Sequence, residues 1–282
     1  MGDFVTIKEI DEAVDAIHER TKVKPRVGIV LGSGLGDIAE MVEDAEIIPY
    51  VEIPHWPRST VVGHSGRLVM GKLRGVPVAV MQGRAHYYEG YPMDVVTMPI
   101  RVLQRLGVET MILTNAAGAV NPDFEPGDVM IITDHISLIG MVGPNPLRGP
   151  NIDEFGERFP DMSQPYDRKM IALAQTIAAR NGTQIHQGCY ICLSGPSFES
   201  PADLRFLRVI GADAVGMSTV PEVIVARHGG MRVFAMSGIS NKANLDGSVM
   251  TTHEEVLAAG KLIVPKLKTI ILNVLENMDS ST

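Results

Sequence analysis

Residues able to do chemistry in this sequence gather in six short segments, most of them flanked by glycine. The first is Gly32-Ser33-Gly34-Leu35-Gly36. Its glycines would let backbone N–H groups close on an anion, and Ser33 adds a hydroxyl donor. The spacing fits neither the dinucleotide fingerprint nor a Walker loop, and a plain tight turn would account for it equally well. In the second, His64 of Val61-Val62-Gly63-His64-Ser65-Gly66 is joined by Gln82-Gly83-Arg84-Ala85-His86-Tyr87-Tyr88-Glu89-Gly90. Arg84 offers a bidentate fork to phosphate, and His86 a donor of tunable charge. Thr114-Asn115-Ala116-Ala117-Gly118 is a run of small residues that suits close backbone approach to a ligand. In Ser194-Gly195-Pro196-Ser197-Phe198-Glu199 a planar heterocycle could stack on Phe198 while Glu199 accepts its ring N–H. A helix-initiating turn with a solvent-facing Glu is the alternative there. Ser218 and Thr219, in Gly216-Met217-Ser218-Thr219-Val220-Pro221-Glu222, would open a helix, a position that favours anions. The last segment is Ser240-Asn241-Lys242, with His253 beyond it. An Asn side chain both donates and accepts, so it can hold a ring nitrogen and an exocyclic oxygen together, although a structural role is the ordinary one for such an amide.

Several of these segments follow an apolar run of strand character. Arg26–Leu31 reads as a buried strand leading into the first glycine loop, and further strands are expected near 67–71, 76–81, 109–119, 127–136, 185–194, 212–218 and 231–240. The 109–119 strand is expected to empty into a small-residue loop. Between the strands lie helical patterns: one after Thr6, with Thr6 and Glu9 as a capping box, and one from about Asp94 to Leu106, kinked at Pro99. Others run from Asp167 to Asn181 and over 201–210, then from Thr219 to His228 with a second Thr-x-x-Glu capping box, and from Thr252 to Leu275. Residues 139–165 read as a long functional loop, and 244–252 as a flexible lid. Strands alternating with helices, without linker or repeat, specify an α/β fold: a single domain over residues 1–282 with a central mixed β-sheet flanked by helices. Ligands of such folds bind beyond the carboxyl ends of the strands, where several of the six segments fall.

The bulk properties narrow the partners. A formal charge of −8 over 282 residues argues against a nucleic-acid or anionic membrane surface. Cys189 and Cys192 form a lone C-x-x-C in an apolar strand, more consistent with two small core residues than with a metal or redox motif. No cluster has metal-ligand spacing. The N-terminal pattern from Gly2 to Thr6 and the Asn181-Gly182-Thr183 sequon carry no modification reading, and with no apolar leader the expected location is cytoplasmic.

Taken together, Leu-Gly-Ser-Gly-Leu-Gly, Gly-Arg-Ala-His-Tyr-Tyr-Glu-Gly, Leu-Thr-Asn-Ala-Ala-Gly-Ala, Gly-Pro-Ser-Phe-Glu, Gly-Ala-Asp-Ala-Val-Gly-Met-Ser-Thr-Val-Pro-Glu and Ser-Asn-Lys occur in one order. In this the chain resembles the purine nucleoside phosphorylases of the trimeric, low-molecular-mass class. The resemblance implies that Ser33, Arg84, His86, the Ala116 backbone and Ser218 bind phosphate, with His64 closing that pocket. It implies that Tyr88, Met217 and His253 hold the ribose. Ala117, Tyr190 and Phe198 would line the base site, with Glu199 and Asn241 recognising the purine. His86, Glu199 and Asn241 would be the catalytic groups, and Phe159 would reach a neighbouring subunit of a homotrimer. The implied reaction is reversible phosphorolysis of 6-oxopurine nucleosides, with phosphate as co-substrate and no cofactor. Departures from the mammalian pattern are Ser240 for Thr, Ala243 for Val, Ala119 for Gly and a shorter loop before His253, and none removes a catalytic group. A methylthioadenosine phosphorylase would be expected to carry Asp in place of Asn241 and an apolar group in place of His253. A non-catalytic nucleoside sensor would not need the phosphate set, and a nicotinamide-dependent oxidoreductase would need the fingerprint loop.

Overall fold

The computed structural model describes residues 4–32, 34–61, 63–242 and 252–278, the side chains of residues 253, 254, 256 and 257 excepted. Ser33, the expected lid and the His253 side chain therefore lie outside the described residues. In chain order the elements are α1 (Ile7–Arg20), β1 (Val27–Leu31), β2 (Glu43–Pro49), β3 (Arg67–Leu73), β4 (Val76–Gln82), α2 (Met93–Arg105), β5 (Thr110–Ala119) and β6 (Val129–Ile136). There follow α3 (Leu138–Met141), α4 (Arg168–Arg180), β7 (His186–Cys192), α5 (Pro201–Val209), β8 (Ala214–Gly216), α6 (Val220–His228), β9 (Arg232–Lys242) and α7 (His253–Asn277).

The sheet is mixed, and its connectivity creates the site. Beginning at one edge, β2, β3, β4, β1 and β5 lie side by side. From β5 the order continues through β8, β7, β6 and β9, and β9 pairs back onto β5, closing those five strands on themselves. Along one side β5 is paired with β9 over its whole length. Its other side is shared: β1 takes Thr110 to Leu113 in parallel, and β8 takes Gly118 and Ala119 antiparallel. Between these partners a wedge opens beside Thr114 to Ala117, whose main chain has no strand on that side.

Side chains alternate across the strands, so one apolar run serves two cores. Val30, Ala79, Met81, Met111 and Leu113 face α1, α2 and α6, packing with Ile10, Ile17, Met98, Val102 and Val223. Their neighbours Ile29, Leu31, Val78, Val80 and Ile112 face α4 and α7, packing with Met170, Ile177, Ile263, Leu267 and Ile270. Each such side chain contributes ~1.5–3 kcal/mol when fully buried, which holds the carboxyl ends of β1, β4 and β5 in register. The expected caps form at α1, where Thr6 and Glu9 bond reciprocally, and at α7, where Thr252 and Glu255 do the same. Asp167 caps α4, and Gly182 follows it at φ +61°.

Three expectations need correction. The 109–119 strand forms as β5, but no small-residue loop follows Asn115, because pairing to β9 keeps Ala116 to Ala119 in the strand. Thr219 and Glu222 form no capping box: Thr219 has no side-chain cap bond and sits at φ 71°, with Glu222 turned inward. The segment from Glu43 to Pro49 is a strand where none was expected, since it is too charged to show the alternation of a half-buried strand. Among the described residues no helix is long and apolar enough to cross a membrane.

Candidate active site

A cavity of about 310 Å³ occupies the wedge. Gly32 at the end of β1, Asn115 to Gly118 of β5, and Val215 and Gly216 of β8 form its base. Gly32 is required by the close approach of the two strands, since a Cβ there would stand 2.8 Å from the Asn115 Cα and 3.0 Å from the Thr114 carbonyl oxygen. The remaining walls bring together the expected Arg84, His86, Tyr88, Phe198, Glu199, Met217, Ser218 and Asn241.

Arg84 is 3% exposed and held on every side. One terminal nitrogen, Nη2, donates to the Thr114 carbonyl at 2.8 Å, and Nη1 donates to Ser218 Oγ at 3.0 Å. Its Nε faces Glu222 Oε1 at 3.1 Å, making a buried ion pair. Burial pushes the Glu222 carboxyl above its usual range, while Arg84 and the Thr219 backbone N–H pull it back. Thr219 makes a three-residue γ-turn, closed by the Val220 N–H donating to the Ser218 carbonyl at 2.8 Å, which is a strained form for a β-branched residue. Its hydroxyl accepts from Asn115 Nδ2 at 2.9 Å, so β5 holds the turn in place.

His86 stacks between two rings, with centroids 4.8 Å from Tyr88 and 5.4 Å from His64. Behind it is Glu89, a residue the sequence reading did not single out. Glu89 Oε1 accepts the His86 backbone N–H at 2.7 Å and lies 3.1 Å from His86 Nδ1, while Oε2 accepts from the Thr60 backbone and hydroxyl at 2.5 and 2.6 Å. Burial alone would raise the Glu89 carboxyl, but these bonds outweigh it and hold the group at about 2. Burial lowers His86, and it lowers His64 to about 4 with help from the charge of His86. His64 is therefore neutral near pH 7. His64 does not line the cavity. Its Nδ1 lies 3.1 Å from the Arg84 backbone N–H and 3.0 Å from Ser59 Oγ, flanking the His86 ring.

Asn241 is oriented by its neighbour: Ser240 Oγ donates to Asn241 Oδ1 at 2.8 Å and lies 3.2 Å from the Ala117 carbonyl oxygen. Across β5, a Cβ on Gly118 would come within 3.2 Å of Asn241 Nδ2. Glu199 is raised by burial, and Phe198 beside it is partly exposed. Tyr190 lies behind the base, fully buried, its hydroxyl accepting the Ser218 N–H at 3.5 Å. Phe159 is 86% exposed on the 142–167 connection and does not line the cavity. Among the described residues no group of His, Cys, Asp and Glu has the arrangement of a metal site.

Comparison with known proteins gives this geometry a context. The family model described as the phosphorylase superfamily matches residues 26–276. Purine nucleoside phosphorylase 1 of Geobacillus stearothermophilus is 49% identical over 95% of this chain and 97% of its own length. The purine nucleoside phosphorylase of Bos taurus is 50% identical, over 96% of this chain and 95% of its own. The chain belongs to the purine nucleoside phosphorylase family. Membership makes it a pentosyltransferase. Among solved structures, the family's Schistosoma mansoni member in complex with inosine superposes with a TM-score of 0.93 at 42% identity, covering 98% of both chains. Its complex with adenosine gives 0.92, covering 97% of this chain and 98% of that one. The mixed sheet and flanking helices are thus those of the purine nucleoside phosphorylases.

Proposed function

We propose that the chain catalyses reversible phosphorolysis of 6-oxopurine nucleosides, inosine and guanosine among them, giving free purine and α-(deoxy)ribose 1-phosphate. The observation that carries this reading is one cavity lined by an anion set and a heterocycle set. The first comprises Arg84, His86, Ser218 and the Ala116 main chain, and the second Phe198, Glu199 and Asn241. Phosphate bound by the first set, with Ser33 completing it, stands as co-substrate, and no cofactor enters the reaction. Tyr88, Met217 and His253 hold the ribose between the two sets.

Cleavage of the glycosidic bond builds positive charge on the sugar and negative charge on the departing base. The phosphate dianion stabilises the first and then bonds to the anomeric carbon. Donation from Asn241 Nδ2 toward O6 and N7 stabilises the second, and Glu199 accepts the N1–H. Holding both reactants in line supplies ~7–11 kcal/mol of such a barrier. His86, its Nδ1–H held by the Glu89 carboxylate, donates from Nε2 to phosphate oxygen as the imidazolium, so it takes up a proton when phosphate binds. Adenine, with a bare N1 and an amino group, leaves Glu199 and Asn241 mismatched. The Schistosoma mansoni protein is also seen with adenosine, so discrimination is expected in rate rather than in occupancy. The large exposed ring of Phe159 supports a homotrimer in which it covers a neighbour's sugar site.

Purified protein with inosine should release hypoxanthine only when phosphate is present, and adenosine should turn over far more slowly. Cleavage that ignores phosphate, or equal rates on both nucleosides, would refute the reading. Sedimentation at three times the chain mass tests the trimer; a monomer that keeps full activity would remove Phe159 from the site.

A further inference from the structure

The Arg84–Glu222 pair carries a consequence that rests on the phosphate reading above and goes beyond it. The terminal nitrogens of Arg84 donate to acceptors within the protein, while Nε meets a carboxylate as an ion pair and has no hydrogen-bond partner among the described residues. Nη2 faces the Thr114 carbonyl at 2.8 Å and the Val30 carbonyl at 3.4 Å. Nη1 faces Ser218 Oγ at 3.0 Å and Thr219 Oγ1 at 3.4 Å, and Nε faces Glu222 Oε1 at 3.1 Å. Only Glu222 among these is a carboxylate. It is 4% exposed, and its second oxygen, Oε2, has no hydrogen-bond partner among the described residues. A carboxylate held this way is an expensive substitute for an amide or a hydroxyl. It differs from them chiefly in its charge.

We infer that Glu222 is a positioning residue for the phosphate subsite: its buried ion pair draws the Nε side of Arg84 toward α6 and cancels part of the guanidinium charge. The subsite is then less attractive to a dianion than an unpaired arginine would make it, and its edge at Ser218 stays in one orientation. The chain architecture fits both roles. Glu222 sits in the first turn of α6, where a carboxylate is favoured, and the γ-turn at Thr219 directs that turn under Arg84. Phosphate binding thus works against a buried negative charge placed behind its principal cation, which keeps affinity moderate and release fast.

Two substitutions separate position from charge. Glu222→Gln keeps length and an oxygen facing Nε but removes the charge; Glu222→Asp keeps the charge but withdraws it from Nε. With inosine as co-substrate, Glu222→Gln is expected to lower KM for phosphate at least threefold, and Glu222→Asp to raise it at least threefold. KM for inosine should stay within twofold in both. A given phosphate concentration should also raise Tm more in Glu222→Gln than in the unsubstituted protein. An unchanged phosphate KM in Glu222→Gln, or parallel changes in both KM values, would overturn the inference, since a purely structural glutamate changes the folded fraction and not one substrate's KM. Should neither variant fold, the unsubstituted protein labelled with ¹⁵N-arginine decides. The Arg84 Nε–H, assigned by its loss in Arg84→Lys, is expected to exchange slowly with and without phosphate, and a rapidly exchanging signal would overturn the inference. Turnover of the unsubstituted enzyme that does not depend on phosphate would instead refute the phosphate reading itself.

Discussion

Replacing Asn241 with Asp should move the enzyme's preference from inosine toward adenosine, and the structure sets the size of the effect. Ser240 Oγ donates to Asn241 Oδ1 at 2.8 Å, which leaves Nδ2 as the donor presented beside Gly118. In the Asn241→Asp variant that donor becomes a carboxylate oxygen. Inosine loses a hydrogen bond at O6 and meets an oxygen in its place, whereas the 6-amino group of adenosine gains an acceptor. An unmatched buried polar group costs ~1–3 kcal/mol. One such mismatch created for inosine and one removed for adenosine, each about 1.5 kcal/mol, sum to about 3 kcal/mol. Their kcat/KM ratio should then shift by about 100-fold. The assay is initial-rate release of hypoxanthine and adenine at saturating phosphate. A companion variant, Ser240→Ala, frees the amide to rotate and should shift the ratio the same way by tenfold or less. A ratio that moves less than threefold in Asn241→Asp would refute the proposed hydrogen-bond pattern.

Other perturbations follow from the same geometry. Glu89→Gln removes the charge that ties Thr60 to His86, and should raise the KM for phosphate about tenfold, the equivalent of ~1.4 kcal/mol, with inosine KM unchanged. Because the Glu89 carboxyl is held at about 2, its stabilisation is complete above the ordinary carboxylate range and is lost as pH falls toward 2; thermal unfolding of Glu89→Gln should lack that component. His64 is depressed to about 4, so the unfolded chain binds its proton first, and stability should fall as pH drops from about 6.5 to 4. His64→Gln should remove on the order of 3 kcal/mol of that fall, measured by denaturant midpoints at both pH values. In Gly216→Ala the new methyl would overlap the buried Tyr190 hydroxyl, a clash expected to cost ~1–3 kcal/mol of stability. Adding Tyr190→Phe should recover part of the lost Tm, and a double variant no better than the single would dispose of the clash as the cause.

Much of this arrangement was legible because strand ends are. The runs before Gly32, Gln82, Asn115, Ser194 and Asn241 are apolar and β-branched, so their carboxyl ends, and with them Arg84, Ala116, Glu199 and Asn241, can be placed from the sequence. What could not be read was the pairing. Nothing local to Thr114–Gly118 distinguishes a loop from a strand paired on one side only, since the deciding partner, β9, lies more than a hundred residues away. The Thr-x-x-Glu at 219–222 misled for a related reason. A capping box is a local pattern, but at φ 71° the Thr219 hydroxyl meets Asn115 instead of the helix, and the buried cation at Arg84 pairs with Glu222. Glu89 shows the reverse: its spacing of three from His86 was visible, but its second clamp on Thr60 depends on a loop fold that no spacing encodes.

The way β9 closes back onto β5 bears on how these molecules behave when crowded together. Of the described strands, β2 alone has a single ladder partner, so it is the outer edge at which a foreign strand could add to the sheet. That edge is poorly suited to accept one. It carries Glu43, Asp44 and Glu46, its pairing is irregular between Glu43 and Glu46, Asp44 sits at φ 52°, and Pro49 ends it without an N–H to offer. Like charges on two copies would repel, and the distorted backbone would not match a regular neighbour. Closure and one blunted margin together protect a nine-stranded sheet from edge-to-edge aggregation.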